Sequence, residues 1–409
     1  MSEKIVGAHD EGGSQGAVRT AASMLLSSTD IWSGAPSPPP PPAAMPAPAS
    51  PPSLAPTPVV QAAPTIEAVT AIATVAPDRP HARSGQWPPQ RLSLALQGGG
   101  TFAAFTWGVL ERLLEEPAIE IDTISGASAG AINALLLVSG LAEGGREGAR
   151  ARLNRFWVRL MHEASFRSLM LVGGFSPAGS SVAFGPTLRS GQFDPFDLDP
   201  LRQALSRDIN FAALREAGCP KLLIAATRIR DGQQQIFGND AITADVALAS
   251  TCPPLVHCAV EIDGEAYWDG GFGGNPPLLR LAQNSTASDL LLVQVTPTRD
   301  SYVPITLAAI DRRLDQIAAN AALNAEVGAL EWAQSRAAPD LRLFRLAAED
   351  EIDGLAQRSS TDLGRGFIRL LHRSGREAAD RWLRKGAGVS EPSSNAADQQ
   401  AERAEPALV

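Results

Sequence analysis

Cysteine is nearly absent from this chain: Cys219, Cys252 and Cys258 are the three in 409 residues. Their spacing fits no metal-ligand pattern, and any disulfide scheme would leave one over. A metal centre and a disulfide scaffold are both excluded as organising devices, and a reducing compartment fits best. A basic excess is missing as well. Thirty-five Lys and Arg stand against 44 Asp and Glu, for a formal net charge of -9, so a general nucleic-acid binder is excluded for want of a basic footprint. No apolar stretch approaches the ~20 residues of a membrane span, and Met1 to Gly34 holds no sustained apolar segment of a secretory signal. The expected location is cytoplasmic, with at most a peripheral contact to a membrane. Histidine is scarce too: of five, His9 and His81 fall in the proline-rich N-terminal part, which leaves His162, His257 and His372.

Proline is plentiful but unevenly spread. It crowds between Pro36 and Pro89, with a run at Pro38 to Pro42 and alanine in most gaps. Such a composition buries no core, and it reads as an extended spacer in preference to a ligand for a proline-recognising module. The expected organisation is a disordered Pro/Ala-rich region over 1–88, one domain over 89–385 and a disordered tail over 386–409. Hydrophobic residues make up 44% of the chain, which is enough for a sizeable core in that middle region.

Within it, Leu92 to Gly140 carries the strongest pattern. Leu92 to Leu96 reads as a buried strand, Gln97-Gly98-Gly99-Gly100 as a tight loop, and a helix opens near Thr101 and stops at Pro117. A second strand, Ile119 to Ile124, turns through Ser125-Gly126-Ala127-Ser128-Ala129-Gly130 into a second helix. The centre of that turn is Gly-x-Ser-x-Gly. A serine on a sharp strand-to-helix bend is pushed clear of the fold, and small neighbours at Gly126 and Gly130 let the chain pass close by. The N–H groups that open the helix favour an anion beside Ser128. Gly98, Gly99, Gly100 and Thr101 offer further donors of the kind an oxyanion hole requires.

Three motifs in order, Gln97-Gly98-Gly99-Gly100, Gly126-Ala127-Ser128-Ala129-Gly130 and Asp269-Gly270-Gly271, resemble the patatin-like phospholipase family over roughly Arg91 to Lys385. The resemblance implies an α/β fold with a mainly parallel central sheet sandwiched between helices. It implies Ser128 as nucleophile, Asp269 as general base without a histidine, a lipid or phospholipid ester as substrate, and no cofactor or metal. One departure stands out: the family's glycine loop usually continues with a basic residue and a glycine, where this chain has Phe102 and Ala103. A catalytically weak or inactive lipid-binding relative is therefore one alternative. Another comes from Gly98-x-Gly100-x-x-Ala103, which satisfies a dinucleotide fingerprint and would make the chain an oxidoreductase. That fold wants an acidic residue closing the second strand, and here the strand closes in the serine turn. A Ser-acid-His triad would leave only His372 after Asp269, mid-helix and without turn chemistry, so the dyad is preferred.

Further on, Phe166 to Gly191 mixes large apolar residues with glycine and proline and reads either as a lid or as an irregular piece of core. Val260 to Ile262 and Ala266 to Trp268 bracket Asp263-Gly264 as a hairpin that delivers Asp269. Pro276-Pro277 opens a helix, Leu290 to Val295 reads as a strand buried on both faces, and Asp311 to Ala337 as a long helix. A last helix, Asp362 to Lys385, places Arg365, Arg369, Arg373 and Arg376 on one face, a candidate contact for an anionic membrane surface against the alternative of a solvated, ion-paired face.

Overall fold

Alternation explains the centre of the molecule. In the computed structural model, which describes residues 87–163, 199–252, 259–336 and 340–385, strand β1 (Arg91–Leu96) sends Leu92, Leu94 and Leu96 to one side of a sheet and Ala95 to the other. Both faces are covered, so β1 and β7 (Asp289–Gln294) are buried along almost their whole length and apolar at their centres, as interior strands of a parallel sheet must be. Around them lie β2 (Glu120–Gly126), β3 (Lys221–Arg228), β4 (Gln234–Phe237), β5 (Val260–Ile262), β6 (Glu265–Asp269) and β8 (Arg342–Ala347). The order is β5-β6-β3-β2-β1-β7-β8, with β4 also paired to β3. Strands β3, β2, β1, β7 and β8 pair parallel, whereas the pairs β3–β4, β3–β6 and β5–β6 are antiparallel. The fold is α/β, with a mixed, mostly parallel sheet between helices.

One face carries α1 (Ala104–Leu114), the start of α2 (Ala129–His162), α4 (Ala244–Thr251) and α7 (Arg365–Lys385); α3 (Asp199–Asp208) packs beside α4. The other carries α5 (Leu278–Asn284) and α6 (Leu307–Arg336). Several helices start later or run differently than the sequence pattern predicts. A 3-10 turn over Gly100–Ala103 precedes α1, and the Thr101 N–H, which the start of a helix leaves without an intrahelical acceptor, donates to the Ser360 carbonyl at 2.7 Å. Helix α2 runs on past the serine turn to His162 with a kink at Gly144 and Gly145, Gly145 at φ 58°. The last helix begins at Arg365, since the Asp362 carboxylate accepts from the Gly364 N–H at 2.8 Å and ends the preceding loop. The fold reaches back to Trp87, whose indole donates to the Leu383 carbonyl at 2.8 Å and packs edge-on against Trp382. The Phe166 to Gly191 segment, the two terminal regions up to residue 86 and beyond 385, and Cys258 lie outside the described residues.

The outer face of α6 is unusual. Leu307, Ile310, Leu314 and Ile317 follow one another at helical spacing and are exposed, as are Tyr302, Val303 and Ile305 in the loop before them. Among the described residues no helix is long and apolar enough to cross a membrane.

Helices α1 and α7 touch backbone to backbone. A Cβ on Gly108 would collide with the His372 carbonyl oxygen, and one on Gly375 with the Phe105 carbonyl oxygen. Each helix thus uses a glycine as the socket for the other's backbone, which leaves no room for relaxation. Gly375→Ala is expected to cost about 1 to 3 kcal/mol by overpacking, read as a lowered denaturation midpoint at unchanged m-value. Gly366→Ala, at a helix position where a Cβ meets nothing within 4 Å, serves as the control and should not destabilise.

Candidate active site

The carboxyl ends of β1, β2 and β6 converge on one cavity of about 400 Å³. Strand β2 ends at Gly126, and Ser128 follows with φ 54°, ψ -132°, a conformation a non-glycine residue adopts only when its surroundings hold it there. The hold is visible. The Ser128 N–H donates to the carbonyl and to the hydroxyl of Ser250, both at 3.1 Å, while the N–H groups of Gly130 and Ala131 bond the Ala127 carbonyl. Close approach completes it, since a Cβ on Gly130 would strike the Leu96 carbonyl oxygen and one on Gly126 would lie 3.0 Å from Ala131. Ser128 is consequently packed on every side but one and keeps 8% of its surface open, on the cavity.

Asp269 closes β6 beside it. The hairpin β5–β6 turns at Asp263 and Gly264, both at positive φ, and β6 pairs with β3 so that Asp269 lies opposite Ala226. Gly270 then fits against the Ala225 carbonyl, where any Cβ would collide. One Asp269 oxygen, Oδ1, accepts from the Gly271 N–H at 2.7 Å. Burial pushes the carboxyl up to about 7, against the lowering influence of the Gly271 N–H and the Ser128 hydroxyl. Oδ2 has no partner that meets full hydrogen-bond geometry. The contact with Ser128 is thus looser than an ideal hydrogen bond, and such bonds often tighten only when substrate is bound. Among the described residues no cation pairs with Asp269, and its exposure is 1%.

The four candidate donors of the glycine loop do not stand alike. The Gly98 N–H is taken by Asn275 Oδ1 at 2.6 Å, and the Thr101 N–H by Ser360, so both are engaged inside the fold. Among the described residues no hydrogen bond consumes the N–H of Gly99 or Gly100, and both line the cavity. The Ser128 N–H is likewise spent on Ser250, which leaves that of Ala129 as the uncommitted donor of the turn. Phe102 fills its place with 2% exposure and packs edge-to-face on Phe367 at 6.0 Å. The carbonyl of Ala103 accepts from Asn133, which the Trp157 indole fixes in turn, each at 3.0 Å.

Asn275 is the residue that sequence reading passed over. Its side-chain amide clasps Gly98 at both ends, accepting from the N–H and donating to the carbonyl at 3.2 Å. It thereby ties the glycine loop to the segment after Asp269. The visible signal was an asparagine followed by Pro276 and Pro277, read only as the opening of a helix. Also unforeseen is the far wall of the cavity, from α6 and the loop at Arg358 to Thr361. His372, by contrast, is remote: it bonds Glu111, stacks on Trp107 at 3.7 Å and does not line the cavity.

Residues 94–282 match the family model described as patatin-like phospholipase. Among solved structures the chain is similar to VipD from Legionella pneumophila, at 14% identity over 75% of this chain and 69% of that one, with a TM-score of 0.35. It is also similar to the type III effector protein ExoU, at 17% identity over 73% of this chain and 54% of that one, TM-score 0.30. The third is the ExoU–SpcU complex of Pseudomonas aeruginosa, at 17% identity over 60% and 52%, TM-score 0.24. This chain covers about half the length of the ExoU chains it matches. No curated protein matches.

A buried carboxyl raised from 3.8 to about 7 makes a prediction about stability. Between those values the folded chain holds a proton that the unfolded chain releases, so stability falls as pH rises through the window and the penalty persists above it. Asp315, also raised to about 7, acts in the same direction. Asp269→Asn removes the ionisable group, so it is expected to melt above wild type at pH 8, with the difference shrinking toward pH 4 in thermal scans.

Proposed function

We propose that this chain, whose residues 94–282 match the patatin-like phospholipase family model, hydrolyses carboxylic esters of lipids through a Ser128–Asp269 dyad, as an acylhydrolase of phospholipase A type. The observation that carries the reading is one arrangement: a fully buried carboxyl titrating near neutrality beside a serine held at positive φ, in a cavity also lined by Gly99 and Gly100. Ser128 Oγ attacks the ester carbonyl carbon and its proton passes to Asp269. The developing oxyanion is received by the N–H groups of Gly99 and Gly100, with that of Ala129 at the start of α2. Collapse breaks the bond to the alcohol, which leaves with the proton from Asp269, and an acyl-serine remains. Water then attacks the acyl carbon, gives its proton to Asp269, and the fatty acid is released as Ser128 regains its proton. A carboxyl near 7 suits both directions of transfer, because neither its acid nor its base form is strongly disfavoured at neutral pH.

The substrate is met at a lipid surface on this reading. The helix whose inner face lines the cavity presents the Leu307, Ile310, Leu314 and Ile317 stripe outward, exposed among the described residues, and a contiguous apolar stripe of this kind suits contact with lipid. The arginine face of α7 is the weaker contact. Arg376 is paired with Glu111 and Glu115, Arg365 donates to the Met161 carbonyl, and Arg373 reaches Glu377 at 4.0 Å. Arg369 is the exposed remainder.

Ser128→Ala and Asp269→Asn should each lower turnover of a chromogenic acyl ester by roughly 1,000-fold or more, and the double variant should be scarcely worse, because the pair acts as one unit. His372→Ala should stay within a few-fold of wild type. The rate should climb with pH up to about 7 and then level, as the base ionises. Retained activity in Asp269→Asn would falsify the dyad. For the surface, Ile305→Asp with Leu314→Asp should abolish sedimentation with phospholipid vesicles while a soluble short-chain ester is still turned over; Arg369→Glu with Arg373→Glu should reduce it less.

A further inference from the structure

A cavity that accepted only an acyl chain and an ester would be lined by hydrocarbon. This one is not. Beyond Ser128, its wall is the inward face of α6, with Asp311, Arg312, Asp315 and Gln316 at helical spacing, and the loop that begins at Arg358. Asp311, Arg312 and Asp315 are partly buried at the place where substrate must lie, with Arg358 exposed at the cavity's edge, and each partly buried charge carries a desolvation cost that a purely apolar ligand would not offset.

The charges do not cancel among themselves. Among the described residues neither Arg312 nor Arg358 has a carboxylate within ion-pair distance, although salt bridges abound elsewhere on the surface. Arg358 is nevertheless fixed: its guanidinium lies 5.3 Å from the centre of the Phe367 ring, and Phe367 meets Phe102 of the glycine loop edge-on. Stacking orients a guanidinium without consuming its donors, which stay free for a planar or tetrahedral oxyanion. Asp311 and Asp315 stand one helical turn apart, and burial together with Asp311 pushes the Asp315 carboxyl up to about 7. Two carboxylates that repel each other in this way gain from a cation placed between them and the cavity.

We propose that Arg358 and Arg312, with Asp311 and Asp315, form a head-group subsite for a zwitterionic phosphodiester lipid, the guanidiniums taking the phosphate and the carboxylates the ammonium. The proposal rests on the reading of Ser128 as the nucleophile and names its substrate class. Phosphate discrimination belongs to the arginines, and the choice of a cationic over an uncharged head belongs to the aspartates. Phe102 acquires a purpose as well, since it supports the ring on which Arg358 lies.

The test uses three monomeric substrates with identical acyl chains: dihexanoyl phosphatidylcholine, dihexanoyl phosphatidylglycerol and dihexanoylglycerol. Wild type should rank them in that order by kcat/KM. Arg358→Gln should raise KM at least tenfold for both phosphate-bearing substrates and leave dihexanoylglycerol unchanged, with Arg358→Lys recovering part of the loss. Asp311→Asn with Asp315→Asn should erase the preference for phosphatidylcholine over phosphatidylglycerol. Titrating dihexanoyl phosphatidylcholine into Ser128→Ala by calorimetry, with and without Arg358→Gln, reads the same subsite without turnover, and free phosphocholine in that titration separates head-group binding from whole-lipid binding. Equal losses on all three substrates, an unchanged Arg358→Gln, or a wild-type preference for dihexanoylglycerol overturns the subsite. Failure of the nucleophile looks different: Ser128→Ala would then keep turning over all three.

Discussion

A carboxyl group that must be buried without a cation dictates how this site is made. Water would hold Asp269 ionised, and a lysine or arginine beside it would do the same; dry packing alone brings it near neutrality. The neighbours are chosen accordingly. Gly271 supplies one N–H, Ser128 its hydroxyl, and the walls are backbone of Gly270 and Ala225 in van der Waals contact. Where the loop needs a polar tie, a neutral amide, Asn275, provides it and adds no charge to the pocket.

Dryness is achieved by bringing backbones together. Gly98, Gly126, Gly130 and Gly270 occur where strand ends and helix starts approach so closely that a side chain of any size would part them. This is why the glycines of the three motifs were legible as a group. The same logic made β1 and β7 plain, because strands buried on both faces carry runs of apolar residues such as Leu290 to Val293. Hairpin β5–β6 was equally plain from Asp263-Gly264, a turn that takes both residues at positive φ.

What the sequence concealed depends on partners far away along the chain. Gly98 and Thr101 look like free donors in isolation, and only the fold shows Asn275 and Ser360 taking them. The arginines of α7 share a helical face on paper, yet Arg376 turns to Glu111 and Glu115 on α1. The acidic pair on α6 follows from no local rule, since i and i+4 aspartates on an amphipathic helix read as solvated until a cavity is found beneath them. The start of α7 slipped by a few residues because the Asp362 side chain holds the preceding loop.

The glycine socket between α1 and α7 joins the first helix of the fold to the last one described. Helix α1 carries the glycine loop, so the donors beside Ser128 rest on a support made nearly 270 residues later in synthesis, at Gly375. A ribosome working at ~5 to 20 residues per second therefore holds an incomplete chain for many seconds in which Ser128 has been made but its loop has no backing. The backing of the glycine loop is therefore completed only once Gly375 has been made, long after the strands on either side of that loop.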